Sequence, residues 1–171
     1  MTGDAAAEFR PEPRAGDVEA VRALVAATGF FSEEEIAVAA ELVEERLARG
    51  PASGYEFRLA DAAGGLAGYS CFGRIALTQA SYDLYWIVVA PATQRTGLGR
   101  RLLQATEAAV TALGGRRLYA ETSSRALYAP TRGFYRGCGY REAACFADFY
   151  APGDGKVVFE KQLMPPDQAA A

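Results

Sequence analysis

The chain has 171 residues, half of them hydrophobic and 23% charged, which is enough apolar sequence to build one folded domain. Its net charge of −3 argues against a nucleic-acid-binding protein, because such proteins usually carry a basic face. The sequence contains no histidine, which excludes Ser-His and Cys-His nucleophile pairs and histidine-ligated metal centres. Acid–base chemistry must therefore use carboxylates, tyrosine, cysteine or lysine.

The sequence also indicates where the protein resides. No apolar run approaches the roughly 20 residues that are needed to cross a bilayer. The first 14 residues lack the basic and apolar regions of a signal peptide, so we expect a cytoplasmic protein with no membrane partner. The cysteines Cys71, Cys138 and Cys145 match no metal-binding spacing, and we expect reduced thiols and no metal.

In chain order, the pattern begins with a short strand over 7–10. Asp17 is predicted to cap a first helix, since the apolar residues that follow it recur with helical spacing. Ser32 and Glu35 form the pattern of a capping box, which predicts a second helix up to Arg49. Three strand-like stretches follow, over residues 55–60, 66–75 and 82–89.

The second half of the chain alternates helices and strands. We predict helices over 97–113 and 131–138, and strands over 117–121, 140–149 and 156–163. This order predicts a mixed α/β sheet with helices on both faces. We expect a single domain over 1–164 and a disordered tail over 165–171.

A glycine-containing turn joins the third strand stretch to the next helix. Helix N-termini present unpaired N–H groups and bind phosphate, and Gly97 and Gly99 allow the main chain to approach an anion closely. Arg95 and Arg100 add positive charge. A dinucleotide-binding loop would require glycine at Leu102, and a Walker loop would require Gly-Lys-Ser/Thr. The turn is therefore either a phosphate-binding turn of another type or an ordinary strand–helix connection.

Two motifs carry a resemblance to a known family. The sequence Gln94-Arg95-Thr96-Gly97-Leu98-Gly99 resembles the Gln/Arg-x-x-Gly-x-Gly/Ala motif of the Gcn5-related N-acetyltransferase (GNAT) superfamily. Residues 133–140 (Gly-Phe-Tyr-Arg-Gly-Cys-Gly-Tyr) are similar to the Phe-Tyr-x-x-x-Gly-Phe/Tyr element of that family. The resemblance implies an acetyl-CoA-dependent N-acetyltransferase, similar to bacterial enzymes that modify small amines or amino acids. Its largely antiparallel central sheet would have fourth and fifth strands that splay apart into a cleft.

The resemblance also assigns the residues that bind acetyl-CoA. It implies that main-chain groups hold the pantetheine arm at Ile87, Val88 and Val89. It implies that the turn wraps the pyrophosphate with Gln94, Arg95, Thr96, Gly97, Leu98, Gly99 and Arg100. Tyr128 stands where the family often has an asparagine that contacts the cosubstrate, and Arg132 or Ser123 is expected to replace that contact.

The same resemblance points to the catalytic residues. Tyr135 matches the general acid that protonates the leaving thiolate, and Glu121 matches the base of bacterial alanine N-terminal acetyltransferases. Asp83 is the alternative base. Cys138 has no histidine to activate it, so we interpret it as a small buried residue.

The acceptor is predicted to be a small primary amine or an amino acid such as alanine, held by Phe30, Phe31 and Tyr150 and acetylated in a ternary complex. Two alternatives stay open: a peptide or protein N-terminal acetyltransferase, and a non-catalytic acyl-CoA-sensing module. A homodimer is left open too.

Overall fold

The computed structural model describes residues 7–163. The predicted tail over 165–171 lies outside them. The chain divides into two compact units, the first formed by the residues up to 73 with 86–106, and the second by 74–85 with the residues from 107 onward. None of the described helices is both long and apolar enough to span a membrane.

The elements follow the predicted order, with boundaries that move by one or two residues at most positions. The strands are β1 (Glu8–Arg10), β2 (Glu56–Ala62), β3 (Gly65–Arg74), β4 (Ser81–Val89), β5 (Arg117–Ser123), β6 (Arg141–Ala151) and β7 (Asp154–Gln162). The helices are α1 (Asp17–Ala27), α2 (Glu33–Arg49), α3 (Leu98–Ala112) and α4 (Ala129–Gly137).

The seven strands are hydrogen-bonded in the order β1-β2-β3-β4-β5-β7-β6. The pairs β1–β2, β2–β3, β5–β7 and β6–β7 are antiparallel, whereas β4 and β5 are parallel. The β4–β5 pairing covers 81–84 and 117–120, which is only the first part of each strand. This confirms the prediction of a mixed, largely antiparallel sheet and is consistent with strands that splay apart.

In the first unit, helices cover both faces of the strands. On β2, Leu59 packs into a core cluster with residues of α1 and α2, while its neighbour Ala60 packs with Leu98 of α3 on the opposite side. The predicted capping box at the start of α2 is confirmed: Ser32 accepts the N–H of Glu35, and the Glu35 carboxylate accepts the N–H of Ser32.

The predicted cap of α1 is wrong. The helix begins at Asp17 itself, its N-cap is Gly16, and no side chain caps it. The Asp17 carboxylate instead accepts from both terminal nitrogens of Arg10 at 2.7 Å, and the Arg10 Nε donates to Asp61 at 2.7 Å. A guanidinium brought close by β1 binds a carboxylate more strongly than a backbone N–H does, because both groups are charged.

In the second unit, aromatic residues surround α4. Tyr135 stacks on Phe159 of β7 with ring centroids 5.4 Å apart, and its ring lies 5.6 Å from that of Tyr140. Cys138, predicted to be buried, is only partly buried, because it lies at the end of α4 rather than on its inner face. Its carbonyl accepts from Nζ of Lys161 at 3.0 Å.

Candidate active site

The predicted phosphate-binding turn, residues 94–100 (hereafter the phosphate turn), lies in the first unit. Arg95 and Gly97 have left-handed backbones, with φ of 62° and 88°. Two groups hold the turn internally: the Thr96 hydroxyl donates to the Thr93 carbonyl at 2.7 Å, and the Gln94 N–H donates to the Pro91 carbonyl at 3.3 Å. These two hydrogen bonds stabilise the approach to the left-handed positions.

The chemistry of the phosphate turn fits a pyrophosphate. Helix α3 begins at Leu98, and its first N–H groups have no partner inside the helix. These groups and the helix dipole favour a bound anion at this point. Gly97 adopts a φ that side chains disfavour, although a Cβ there would meet nothing within 4 Å. The glycine therefore serves the backbone conformation and leaves open space above the turn.

The main chain at the end of β4 lies close to Gly68 of β3, a contact that the sequence analysis did not predict. The N–H of Ala90 donates to the carbonyl of Ala67 at 2.8 Å. A Cβ built on Gly68 would lie 3.0 Å from the Val88 carbonyl oxygen, so a side chain at Gly68 would push this segment away. An isolated glycine inside a strand pattern is a signal of close backbone approach and could have identified this position. Gly68 therefore positions the main chain predicted to bind pantetheine.

Three charged side chains of the second unit form a separate cluster within that unit: Asp83 on β4, Glu121 on β5 and Lys156 on β7. We call them the carboxylate–lysine cluster. Nζ of Lys156 donates to Oε1 of Glu121 at 3.1 Å. Lys156 pairs with Ser123 across the two strands, which places it on the same face as Glu121, two residues along. Sequence reasoning proposed both carboxylates but missed the lysine.

The two carboxylates have different environments. Burial raises the pKa of Asp83, the negative charge of Glu121 raises it further, and the charge of Lys156 opposes both effects. Glu121 is 48% exposed, whereas the Lys156 side chain is only 16% exposed. Asp83 is partly buried, so Glu121 is the more exposed of the two carboxylates. Within residues 7–163, no group of three or more potential ligand side chains is arranged to hold a metal ion.

Aromatic rings from β6 border the cluster. Nζ of Lys156 lies 4.1 Å from the centroid of the Phe149 ring and 5.7 Å from that of Phe146. Tyr150, a predicted substrate residue, packs edge-on against Phe149 with centroids 5.1 Å apart. All three rings are about half exposed. Asp148 bends the strand here with a φ of 52°.

The other predicted substrate residues lie in the first unit and have separate environments. Phe31 packs against the core cluster of that unit, and its ring lies 5.0 Å from that of Trp86 on β4. Phe30 is exposed. Phe31 therefore has a packing role whether or not it contacts substrate.

Tyr135, the predicted general acid, is a buried residue of α4 that is 4% exposed. Burial raises its pKa well above the ordinary value, with a smaller contribution from Cys138. The hydroxyl is therefore protonated at neutral pH and can donate a proton or a hydrogen bond.

Side chains at both ends of the connection between β5 and α4 form hydrogen bonds across it. Arg132 donates from Nη1 to the carbonyls of Ser123 and Arg125 at 2.7 and 2.9 Å. The Ser123 hydroxyl lies 2.5 Å from Oδ1 of Asp154 and accepts the N–H of Arg125 at 3.1 Å. Both side chains offered above as replacements for the asparagine are thus engaged in holding this connection.

Comparisons with known proteins agree with this geometry. A family model described as an acetyltransferase (GNAT) domain matches residues 53–142. A GNAT-family protein from Desulfovibrio desulfuricans is 45% identical, with a TM-score of 0.91 over 93% of this chain and 100% of that one. No match was found among curated proteins.

More distant structures share the fold. An aminoglycoside 6'-N-acetyltransferase bound to coenzyme A is 17% identical, with a TM-score of 0.73 over 92% of this chain and 98% of that one. A ribosomal-protein alanine N-acetyltransferase from Escherichia coli is 20% identical, with a TM-score of 0.71 over 95% and 97%. The chain belongs to the GNAT family of acetyltransferases. It is an acetyl-CoA-dependent N-acetyltransferase.

Proposed function

We propose that the protein transfers the acetyl group of acetyl-CoA to a small primary amine, an amino acid such as alanine, by direct attack in a ternary complex. The observation that carries this proposal is the contact between Glu121 and Lys156. An exposed carboxylate already holds an alkylammonium group at 3.1 Å, which is the distance at which a base can remove a proton. The acceptor amine would take the same position.

Glu121 is the proposed general base. An α-ammonium group has a pKa of about 7.7–8 and must lose a proton before it attacks the thioester. Glu121 accepts that proton first, and the neutral nitrogen then attacks the acetyl carbon. The carbon–sulfur bond breaks, and the nitrogen loses its second proton to solvent to give the amide. Asp83 adds a second negative charge to the same cluster and supports binding of the ammonium form.

Tyr135 is the proposed general acid, which gives its proton to the departing thiolate of coenzyme A. Its hydroxyl is protonated at neutral pH, so a proton is available for that step. For the cosubstrate, the N–H groups of residues 95–100 would bind the pyrophosphate, and the main chain of Ile87, Val88 and Val89 would bind the pantetheine arm. The conformation of the phosphate turn and the close packing at Gly68 support these assignments.

A thiol-release assay tests this function. The purified protein is mixed with acetyl-CoA and, separately, with amino acids, polyamines, aminoglycosides and short peptides. We expect the highest kcat/KM with small amino acids such as alanine. Release of thiol with polyamines or aminoglycosides but not with amino acids would contradict the proposed acceptor class.

A peptide or protein N-terminal acetyltransferase is the second candidate. The half-exposed aromatic side chains of Phe146, Phe149 and Tyr150 favour it, because such rings can hold an extended peptide beside the candidate base. A higher kcat/KM with a tripeptide that begins with alanine than with alanine itself would support this candidate. The non-catalytic sensing module is set aside, since the chain is an acetyltransferase.

A further inference from the structure

Lys156 is the cation that occupies the proposed acceptor position on Glu121. Its side chain is largely buried, and its Nζ contacts the Glu121 carboxylate and the faces of two phenylalanine rings. Removing the partner of a desolvated charge is costly, because the remaining charge stays away from water.

Binding of an acceptor ammonium to Glu121 creates this cost. The ammonium displaces Nζ of Lys156 from the carboxylate oxygen, and Lys156 then requires another anion. Aromatic faces attract the cation, but they do not replace a charged hydrogen-bond acceptor. An acceptor that carries an anion next to its amine avoids leaving Lys156 unpaired, because that anion replaces the Glu121 carboxylate.

A free α-amino acid has this arrangement, since its carboxylate is attached to the carbon that bears the amine. Its ammonium group can bind Glu121 while its carboxylate binds Lys156, so that each member of the ion pair exchanges its partner for a new one. A peptide lacks that carboxylate at its N-terminus, and a polyamine or aminoglycoside would bring further positive charge toward Lys156.

We propose that Lys156 is a specificity-determining residue that binds the acceptor's α-carboxylate, so that free α-amino acids are the acceptor class. The inference rests on the proposed role of Glu121 as the residue that holds the acceptor amine. It separates the two candidate functions, because an N-terminal acetyltransferase has no use for such a contact. The rings of Phe146 and Phe149 then lie beside the acceptor's own side chain, which favours an apolar one.

The test compares L-alanine with L-alaninamide, which differ in the carboxylate. The kcat/KM ratio of the two acceptors is measured in the wild type and in the Lys156→Met and Lys156→Arg variants. Methionine keeps an unbranched apolar stem against Phe149 but removes the charge, whereas arginine keeps the charge. Within one variant, the ratio of the two acceptors cancels any effect on the base that both share. Comparing that ratio between variant and wild type also cancels the difference in amine pKa between the two acceptors.

We expect Lys156→Met to lower the ratio about tenfold or more, mainly through the KM for alanine, as loss of a charge-assisted hydrogen bond would do. Lys156→Arg should retain most of the preference. The matched control is Arg136→Met, which removes another cation of this unit that pairs with a carboxylate (Glu142) and lies over a phenylalanine ring (Phe159). That variant should keep the wild-type ratio.

Good turnover with the same ratio in the wild type and in Lys156→Met would overturn the role of Lys156 and leave the proposed function intact. A wild type that prefers alaninamide, or an alanine-terminated tripeptide, when kcat/KM is expressed per unprotonated amine would overturn it too. A wild type that acetylates neither compound would contradict the proposed function and, with it, this inference.

Discussion

The phosphate turn and the carboxylate–lysine cluster are built in different ways. The phosphate turn uses main-chain groups of seven consecutive residues, and its shape follows from left-handed positions at Arg95 and Gly97. The carboxylate–lysine cluster uses side chains from three strands that are far apart in the sequence. Under the proposed assignments, cosubstrate binding depends on a local backbone conformation, whereas acceptor chemistry depends on strand register. We expect substitutions in the two regions to affect different steps of the reaction.

The largest expected loss of activity comes from a substitution in the second unit, at Tyr135. Tyr135→Phe keeps the ring that stacks on Phe159 and removes only the hydroxyl, so folding should be preserved. The loss of a general acid should lower kcat by about 10²–10⁴-fold while the affinity for acetyl-CoA changes little. Turnover and acetyl-CoA binding are measured on the same preparation.

Tyr140→Phe is the matched control for that variant, since it makes the same change in the neighbouring ring. It should leave kcat within about threefold of the wild type, well short of the loss expected for a general acid. Equal and small losses in both variants, with chemistry shown to be rate-limiting, would leave Tyr135 as a packing residue.

In the phosphate turn, we expect a substitution to weaken acetyl-CoA binding. Gly97→Ala should weaken acetyl-CoA binding by about tenfold or more, because alanine disfavours the φ of 88° that the turn requires. Isothermal titration with acetyl-CoA measures the loss. Ligand-induced thermal stabilisation should decrease in parallel.

The control here is Gly54→Ala, at another left-handed glycine of the first unit with φ of 78° and open space for a Cβ. It should lower thermal stability by a similar amount and keep the wild-type affinity for acetyl-CoA. The assignment of the phosphate turn fails if both variants bind acetyl-CoA as the wild type does.

The smallest effect is expected from Asp83→Asn, measured as stability. Because the pKa of Asp83 is raised above 3.8 in the folded protein, ionisation of this group costs stability as the pH rises through the folded pKa. Below the ordinary value of 3.8 both states are protonated and the cost disappears. Asp83→Asn should therefore have a slightly higher Tm than the wild type at pH 7 and an equal Tm below about pH 4. A lower Tm at pH 7 would show that the Asp83 charge stabilises the fold.

Local patterns predicted much of the fold and of the phosphate turn. The capping box at Ser32 and Glu35 and the glycines of the turn act through residues a few positions apart, so their effect can be inferred from spacing. Asp17 was assigned wrongly because its partner Arg10 reaches it through the β1 strand rather than through the helix.

The carboxylate–lysine cluster could be predicted only in part. Glu121 and Asp83 stand out as carboxylates near the ends of strands, but Lys156 contacts Glu121 only because β7 pairs with β5 in one particular register. Cross-strand register is not readable from either strand alone. The assigned roles of the site residues and the cytoplasmic location stay predictions, and a homodimer is left open.

The central claim, that Glu121 removes the acceptor's proton, is tested most directly by pH profiles of kcat/KM for the wild type and for Glu121→Gln. Two acceptors with different amine pKa values are needed, because the ionisation of a highly basic amine would conceal that of the enzyme. We predict that Glu121→Gln lowers kcat/KM about 100-fold or more with both amines and abolishes the ionisation that the ascending limb shares between them. Wild-type rates and profiles in Glu121→Gln with both acceptors would contradict the claim. In that case, impaired rates in Asp83→Asn would assign the base to Asp83, and unimpaired rates would assign it to water.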